Sequence, residues 1–476
     1  MSDLQVRVDG VFGILVAWIT PILFFDPGFG IPLILMVLVG GGIFFTLRYG
    51  FLNVRLFRHG IDCVRGRFDD PDDPGEISHF RALTSALSAT VGLGNIAGVA
   101  VAIAAGGPGA IFWMWLVAFL GMSLKFSSCT LAQMHRRITP EGHVLGGPMV
   151  YLSDGIAREN PRFAGLGRAL GILYAVLAIL ASIGAGNMFQ GKMSFTIASS
   201  VLPSLEGLPG APFWFGVVFA ALVGAVIIGG IKRIGEVTGR LVPAMCGFYV
   251  AICLLIIFLH ISSIPGLFVE IFRQAFQPSA AFGGFLGVLI QGTRRAAFSN
   301  EAGVGSAAIA HAAARTDEPV REGSVAMLGP FIDTIVVCTM TALAILASGV
   351  DDGTRQLDWA SGASLTARAF GTLDELAPVL LVITVIVFAY STMISWSYYG
   401  ERAAEFLFGS GGILPYRIIY VFFVALGPVL SVRHVLDFAD MLLLAMAFPN
   451  ILGMVLLSSS VRKAADDYRK RMGLAG

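Results

Sequence analysis

Charge is scarce in this chain. Asp, Glu, Lys and Arg make up 13% of its 476 residues, where soluble domains carry about 25%, and the mean hydropathy is +0.79. An ordinary water-soluble globule is excluded. A net charge of +1, with no basic run interleaved with aromatics, gives no pull towards nucleic acid. The five cysteines (Cys63, Cys129, Cys246, Cys253 and Cys338) form no Cys-x-x-Cys pair. Four stand in apolar stretches and read as small core residues, not as a disulfide or metal framework. The histidines, His135 among them, lack metal-ligand spacing. His-Glu-x-x-His, Gly-x-Ser-x-Gly and a filter-type sequence are also missing, which leaves a membrane enzyme or channel as a distant alternative. Arg7 and Asp9 precede an apolar stretch without a small-residue cleavage site at signal-peptide spacing.

Long apolar runs are abundant, and Gly (58) and Phe (36) suit closely packed membrane helices. Eleven spans are predicted, near residues 32–47, 80–104, 109–135, 168–200, 212–231, 241–262, 282–311, 322–349, 375–408, 414–430 and 434–460. A shorter apolar piece at 11–25 reads as interfacial. The Asp-, Pro- and Arg-rich stretch 60–79 and the acidic, Gly/Ser-rich stretch 350–374 read as loops. With the N-terminus outside and the C-terminus cytoplasmic, 23 of the 32 Lys and Arg residues fall in inside segments. Only Arg7, Arg273, Arg355, Arg368 and Arg433 fall outside, as the positive-inside rule requires.

Two spans are interrupted. Residues 84–98 contain Gly92-Leu-Gly94-Asn95, and residues 291–306 contain Asn300-Glu301-Ala-Gly303-Val-Gly305-Ser306. Backbone groups freed at membrane depth must meet a partner that lipid does not supply, so such breaks lie inside protein or line a ligand cavity. With the first span set aside, ten helices divide into five plus five, and each half begins with a broken helix. An odd number per half forces opposite orientations, which is an inverted repeat with a site between the breaks. The expected organisation is a leading helix and cytoplasmic loop (1–79), two five-helix halves (80–262 and 282–460) and a cytoplasmic tail (461–476). Half-helix amino ends suit a carboxylate, and free carbonyls suit Na⁺.

Each of these residues has a plainer reading. Gly92 and Gly94 also fit a packing notch; the third glycine, Gly98, is misplaced for a dinucleotide fingerprint. Asn300-Glu301 reads as a cap, as a buried pair of Glu301 with Arg294 or Arg295, or as a ligand group. Asp333 poses the same choice. Ser391 and Thr392 read equally as residues bonded back to their own helix, and Trp396 as packing or lid.

The runs Thr90-Val-Gly-Leu-Gly-Asn-Ile-Ala-Gly-Val99, Gly106-Gly-Pro-Gly-Ala-Ile-Phe-Trp-Met-Trp115, Gly146-Gly-Pro-Met149, Ser299-Asn-Glu-Ala-Gly-Val-Gly-Ser306 and Ser395-Trp-Ser-Tyr-Tyr-Gly-Glu401 resemble the alanine or glycine:cation symporter family, in order and over nearly the whole chain. The resemblance implies an all-α membrane protein of the LeuT type with eleven transmembrane helices. It also implies Na⁺-coupled uptake of a small neutral amino acid in the cell membrane, with no enzymatic activity and no cofactor beyond the coupling ion. By the same resemblance, Gly92, Gly94, Gln190, Phe298, Asn300 and Trp396 line the substrate pocket. Asn95 and the Thr90 carbonyl form one Na⁺ site. The carbonyls of Ser88 and Val91, with the hydroxyls of Ser391 and Thr392, form a second; oxygen ligands suit a hard cation.

Four positions depart from the family pattern: Leu93 for Thr, Lys192 for Asn, Ser128 for Glu and Ala296 for Gly. An intramembrane ammonium is expensive and usually functional. Lys192 is therefore expected in the substrate site, binding an acidic group, pairing with Glu301 or replacing a cation, unless it snorkels to an interface. Proton coupling or a different substrate range on the same fold is the nearer alternative.

Overall fold

The structure is a computed structural model that describes residues 2–139, 143–205, 207–276, 284–350, 359–430 and 432–474. It is almost wholly helical. Among the described residues the exceptions are one short antiparallel pair, Arg137–Ile138 with Val144–Leu145, and an isolated parallel bridge between Ile77 and Ala314. Among the described residues six helices are long and apolar enough to cross a membrane: Gly109–His135, Pro161–Val201, Gly230–Leu259, Pro319–Ala347, Ala377–Phe408 and Ser410–Val429. Two bent pairs raise the number to eight, His79–Thr90 with Gly94–Gly106 at 55° and Asp440–Leu456 with Ser458–Arg471 at 61°. Leu33–Arg48 and Ala211–Ile227 are apolar but shorter. The predicted span at 282–311 is divided into Gly284–Asn300 and Ala307–Ala312, and its first two residues lie outside the described residues.

Exposed rows of Leu254, Leu255, Phe258 and Leu259, and of Leu414, Ile418 and Phe422, face outwards from their helices. Apolar surface of this extent suits lipid and not water. The interior is close-packed through small residues. A Cβ on Gly292 would overlap the backbone of Ala110, and one on Gly323 would overlap the Thr130 hydroxyl, so both helices press against Gly109–His135 at backbone distance.

One region differs from the sequence reading, and two others gain detail. The stretch 350–374, expected as a loop, carries the helix Trp359–Gly371, which packs on the first helix break; its residues 351–358 lie outside the described residues, Arg355 with them. The apolar stretch 11–25 belongs to a longer helix, Ser2–Leu23. The polar tail forms the helix Ser458–Arg471, docked through buried Val461, Ala465 and Tyr468, with Tyr468 hydrogen-bonded to His59 at 2.7 Å.

Candidate substrate and cation site

The first break begins where Val91 turns extended (φ −74°, ψ 96°) and ends the helix His79–Thr90. The chain resumes as a widened turn at Gly94–Gly98 before Val99–Gly106. The second break runs through Glu301 (φ +54°), Gly303 (φ +87°) and Gly305 (φ +88°). Left-handed backbone is easy for glycine and strained for Glu301, and such strain collects at functional sites. A third loosened turn, Gly184–Met188, interrupts Pro161–Val201; its apolar pattern had hidden it.

Each break meets a side-chain partner. Thr366 of the Trp359–Gly371 helix donates to the Ile96 carbonyl at 3.3 Å. Tyr420 donates to the Gly186 carbonyl at 3.2 Å, and Asn450 to the Gly303 carbonyl at 2.8 Å, with Asn450 itself held by Tyr151. In each break a freed carbonyl thus meets the protein partner that burial requires.

Between the breaks lies a small chamber. Its lining includes Thr90, Gly92, Leu93 and Gly94 from the first break, Ala185 and Gln190, Phe298 and Glu301 from the second, Trp396 and Leu443. Its free volume is about 10 Å³, room for a single water, so a larger occupant requires a lining side chain to move. Trp396 is the broadest wall. A Cβ on Gly186 would overlap it, so the indole depends on that glycine. A Cβ on Gly92 would stand 2.8 Å from the Thr392 hydroxyl, and one on Gly94 3.3 Å from Ser299, so both glycines permit close approach. Phe298 packs edge-on against Phe189, ring centres 5.2 Å apart.

Not every expected pocket residue is there. Gly92, Gly94, Gln190, Phe298 and Trp396 line the chamber, but Asn300 and Lys192 do not. Asn300 donates to Thr334 at 3.0 Å and accepts from the Ala302 amide at 3.0 Å, holding the break to the neighbouring helix. Lys192 stands two residues after Gln190, which turns it away, and its ammonium donates to the Pro428 carbonyl at 3.1 Å. The expected pairing of Glu301 with Arg294 or Arg295 is also replaced: both arginines bind Asp440 Oδ2, at 2.6 and 3.0 Å. Asp440 precedes Leu443, and Arg294 precedes Phe298, by about one helical turn, so this ionic contact stands about one turn beyond one end of the chamber. Towards the opposite end Glu322 is clamped between His79 and His311, all three buried.

The candidate cation residues do converge. Thr392 donates to the Ser88 carbonyl at 3.0 Å, and Ser88 donates to the Ser391 carbonyl at 2.7 Å, which joins the first break to Ala377–Phe408. Ser391 also bonds back to Phe388 at 2.8 Å, the plainer role considered for it. Val91 is fully buried at the helix end. Asn95 Oδ1 accepts from the Gly92 amide at 2.8 Å, and its Nδ2 donates to Asp333 Oδ1 at 2.8 Å. Ser299 and Thr334 each donate to Asp333 Oδ2 at 2.7 Å. The Asp333 carboxylate therefore stands beside Asn95 among neutral donors from three helices.

Sequence reasoning left Asp333 open, passed over Lys125 and did not give Glu301 the pocket. Lys125 is buried within Gly109–His135, beside Gly329, and its charge acts on both Glu301 and Asp333. The signal was present, since all three are ionisable residues at mid-span. Among the departures, Leu93 makes its part of the wall apolar, and Ser128 bonds back to the Lys125 carbonyl at 3.2 Å.

A crystal structure of MhsT in complex with L-phenylalanine matches with a TM-score of 0.51 at 14% identity, covering 82% of this chain and 99% of that one, which is a likeness of fold of the LeuT type. The sodium/alanine symporter AgcS of Methanococcus maripaludis is 43% identical over 92% of this chain and 95% of its own length. A probable sodium/glutamine symporter of Bacillus subtilis, GlnT, is 34% identical over 92% and 88%. The model of the sodium:alanine symporter family matches residues 19–474. The chain is a multi-pass membrane transporter, not an enzyme, and belongs to the sodium:alanine symporter family.

Proposed function

We propose that the chain carries a small neutral amino acid, alanine or glycine, into the cell together with Na⁺ by alternating access. One leading helix and two oppositely oriented five-helix halves, 80–262 and 282–460, make eleven spans; the N-terminus is outside, and the tail 461–476 is cytoplasmic. The observation that carries this reading is the water-sized chamber where both helix breaks meet, bounded by Gly92, Gly94, Gln190, Phe298 and Trp396. Such a chamber opens for a small side chain and excludes a large one.

Na⁺ is held at two places. Asn95 and the Thr90 carbonyl form the first, with Asp333 supplying a negative charge that neutral ligands lack. The carbonyls of Ser88 and Val91 and the hydroxyls of Ser391 and Thr392 form the second. All are oxygen donors, as a hard cation requires. Ion and amino acid stabilise the same broken helices, so each strengthens the other's binding, and the coupling is reciprocal. The membrane potential adds about 2.3 kcal/mol per 100 mV for each charge moved. The ionic contacts at Asp440 and at Glu322 close the outer and inner ends. The name of the 43% identical relative, which pairs sodium with alanine, supports this cargo.

The deciding measurement is uptake into proteoliposomes. Labelled alanine or glycine should accumulate under an inward Na⁺ gradient and stop when K⁺ replaces Na⁺. Accumulation without Na⁺ under an imposed pH gradient would transfer the coupling to protons, a reading that the buried carboxylates of Glu301 and Asp333 favour.

A further inference from the structure

We propose that the Glu301 carboxylate is the receptor for the ammonium group of the cargo, and that the Trp396 indole N–H occupies that place while the chamber is closed. The proposal rests on the amino-acid reading above and assigns its recognition chemistry.

Among the described residues, Glu301 is the one acidic residue lining the chamber. Its Oε2 accepts from Ser306, and its Oε1 accepts from Trp396 Nε1 at 3.2 Å. No cargo fits the chamber until a wall moves, and withdrawal of Trp396 both makes the room and frees Oε1. A second acceptor waits nearby: Gln190 Oε1 is buried without a hydrogen-bond partner, while its Nε2 is held by the Ala185 carbonyl at 3.1 Å. A primary ammonium has three donors and suits two converging acceptors, whereas a carboxylate or an ether oxygen donates nothing. The arginines that would otherwise claim Glu301 are bound to Asp440. The charge of buried Lys125 acts on Glu301 from the Gly109–His135 helix. The φ of +54° aims the side chain, and such strain is kept only where the surroundings impose it.

The selected class is accordingly the zwitterionic amino acid. The analogue without its amino group leaves Glu301 and Gln190 unpaired, and sites built to hydrogen-bond a group reject ligands lacking it by large factors.

The test is the thermal stability of the full-length protein in detergent with NaCl, titrated with the twenty amino acids, propionate and lactate. At least one small amino acid should stabilise the parent, and neither propionate nor lactate should. Glu301→Gln should weaken that amino acid at least 100-fold while keeping the shift produced by Na⁺ alone. Trp396→Phe, which keeps a ring and removes the N–H, should bind it at least as tightly as the parent. Parent-like amino-acid binding by Glu301→Gln overturns the proposal, and tenfold weaker binding by Trp396→Phe overturns the placeholder. If Glu301→Gln does not fold, the parent decides: propionate or lactate binding as well as alanine overturns it. A parent that responds to Na⁺ but to no amino acid removes the cargo reading, and the proposal falls with it.

Discussion

Asn95 and Asp333 are joined twice, through the Asn95 amide to the Asp333 carboxylate at 2.8 Å and to its backbone carbonyl at 3.0 Å. The contact ties the first helix break to Pro319–Ala347, and it places a negative charge where only neutral oxygens had been expected. Asn95→Ala should weaken Na⁺-stimulated binding by about tenfold or more, equivalent to about 1.4 kcal/mol, with a smaller effect on expression. A Na⁺ titration by thermal shift, with and without amino acid, measures it; an unchanged Na⁺ midpoint removes Asn95 from the site.

Lys192 gives the opposite expectation. Because its ammonium serves the Pro428 carbonyl, Lys192→Asn should leave amino-acid and Na⁺ affinity within about twofold of the parent while lowering the melting temperature through one lost charged hydrogen bond, about 1.5–3 kcal/mol. Binding isotherms and melting curves separate the two effects. A changed substrate preference would return Lys192 to the pocket.

Gly186 lies against Trp396, and the space for a methyl group is already taken. Gly186→Ala should displace the indole, cost about 1–3 kcal/mol by overpacking and abolish uptake at protein levels that remain measurable. Normal transport by this variant would show that Trp396 has no fixed seat.

If the contact at Asp440 is the outer closure proposed above, Asp440→Asn, which removes the carboxylate shared by Arg294 and Arg295, opens it. Breaking a buried ion pair from one side typically costs about 3–5 kcal/mol. The variant should melt earlier, and a cysteine placed at Leu443 should become reactive to an impermeant reagent added outside. Unchanged reactivity would mean that the contact does not close the chamber.

His143 carries the pH prediction. A hydrogen bond to Glu405 raises the imidazole above its usual 6.5, against burial and the Arg402 guanidinium. A raised value means that the folded state binds the proton more tightly, so this contribution is complete below 6.5 and is lost as pH rises through the raised value. The segment that pairs Val144–Leu145 with Arg137–Ile138 should loosen on alkalinisation. Hydrogen exchange at the Val144 amide, corrected for intrinsic rates, should show the transition in the parent and not in His143→Gln. Identical profiles would count against it.

Much of this was legible in the chain. Gly92 and Gly94 mark their break because glycine at membrane depth has few other reasons to be paired with Asn95. The Ser299–Ser306 run marks the second break in the same way. The widened turn at Gly184–Met188 was invisible because loosening a turn leaves the run apolar. The Trp359–Gly371 helix was hidden by polar composition: it lies over the fold and does not cross it, so no long apolar run announces it. Lys192 was misjudged for a geometric reason. Sequence places a residue along a helix, but two positions from Gln190 is a turn of some 200°, and only packing tells which face meets the chamber.

The hydrogen bond from Thr366 to Ile96 joins the Trp359–Gly371 helix to the broken backbone that the proposed transport cycle would rearrange. An environment-sensitive dye at exposed Thr372, one residue beyond that helix, would sit outside the transport path yet be mechanically connected to it. Occupancy of the buried chamber would then be read as an optical signal at the protein surface, turning over with each cycle and requiring no labelled substrate.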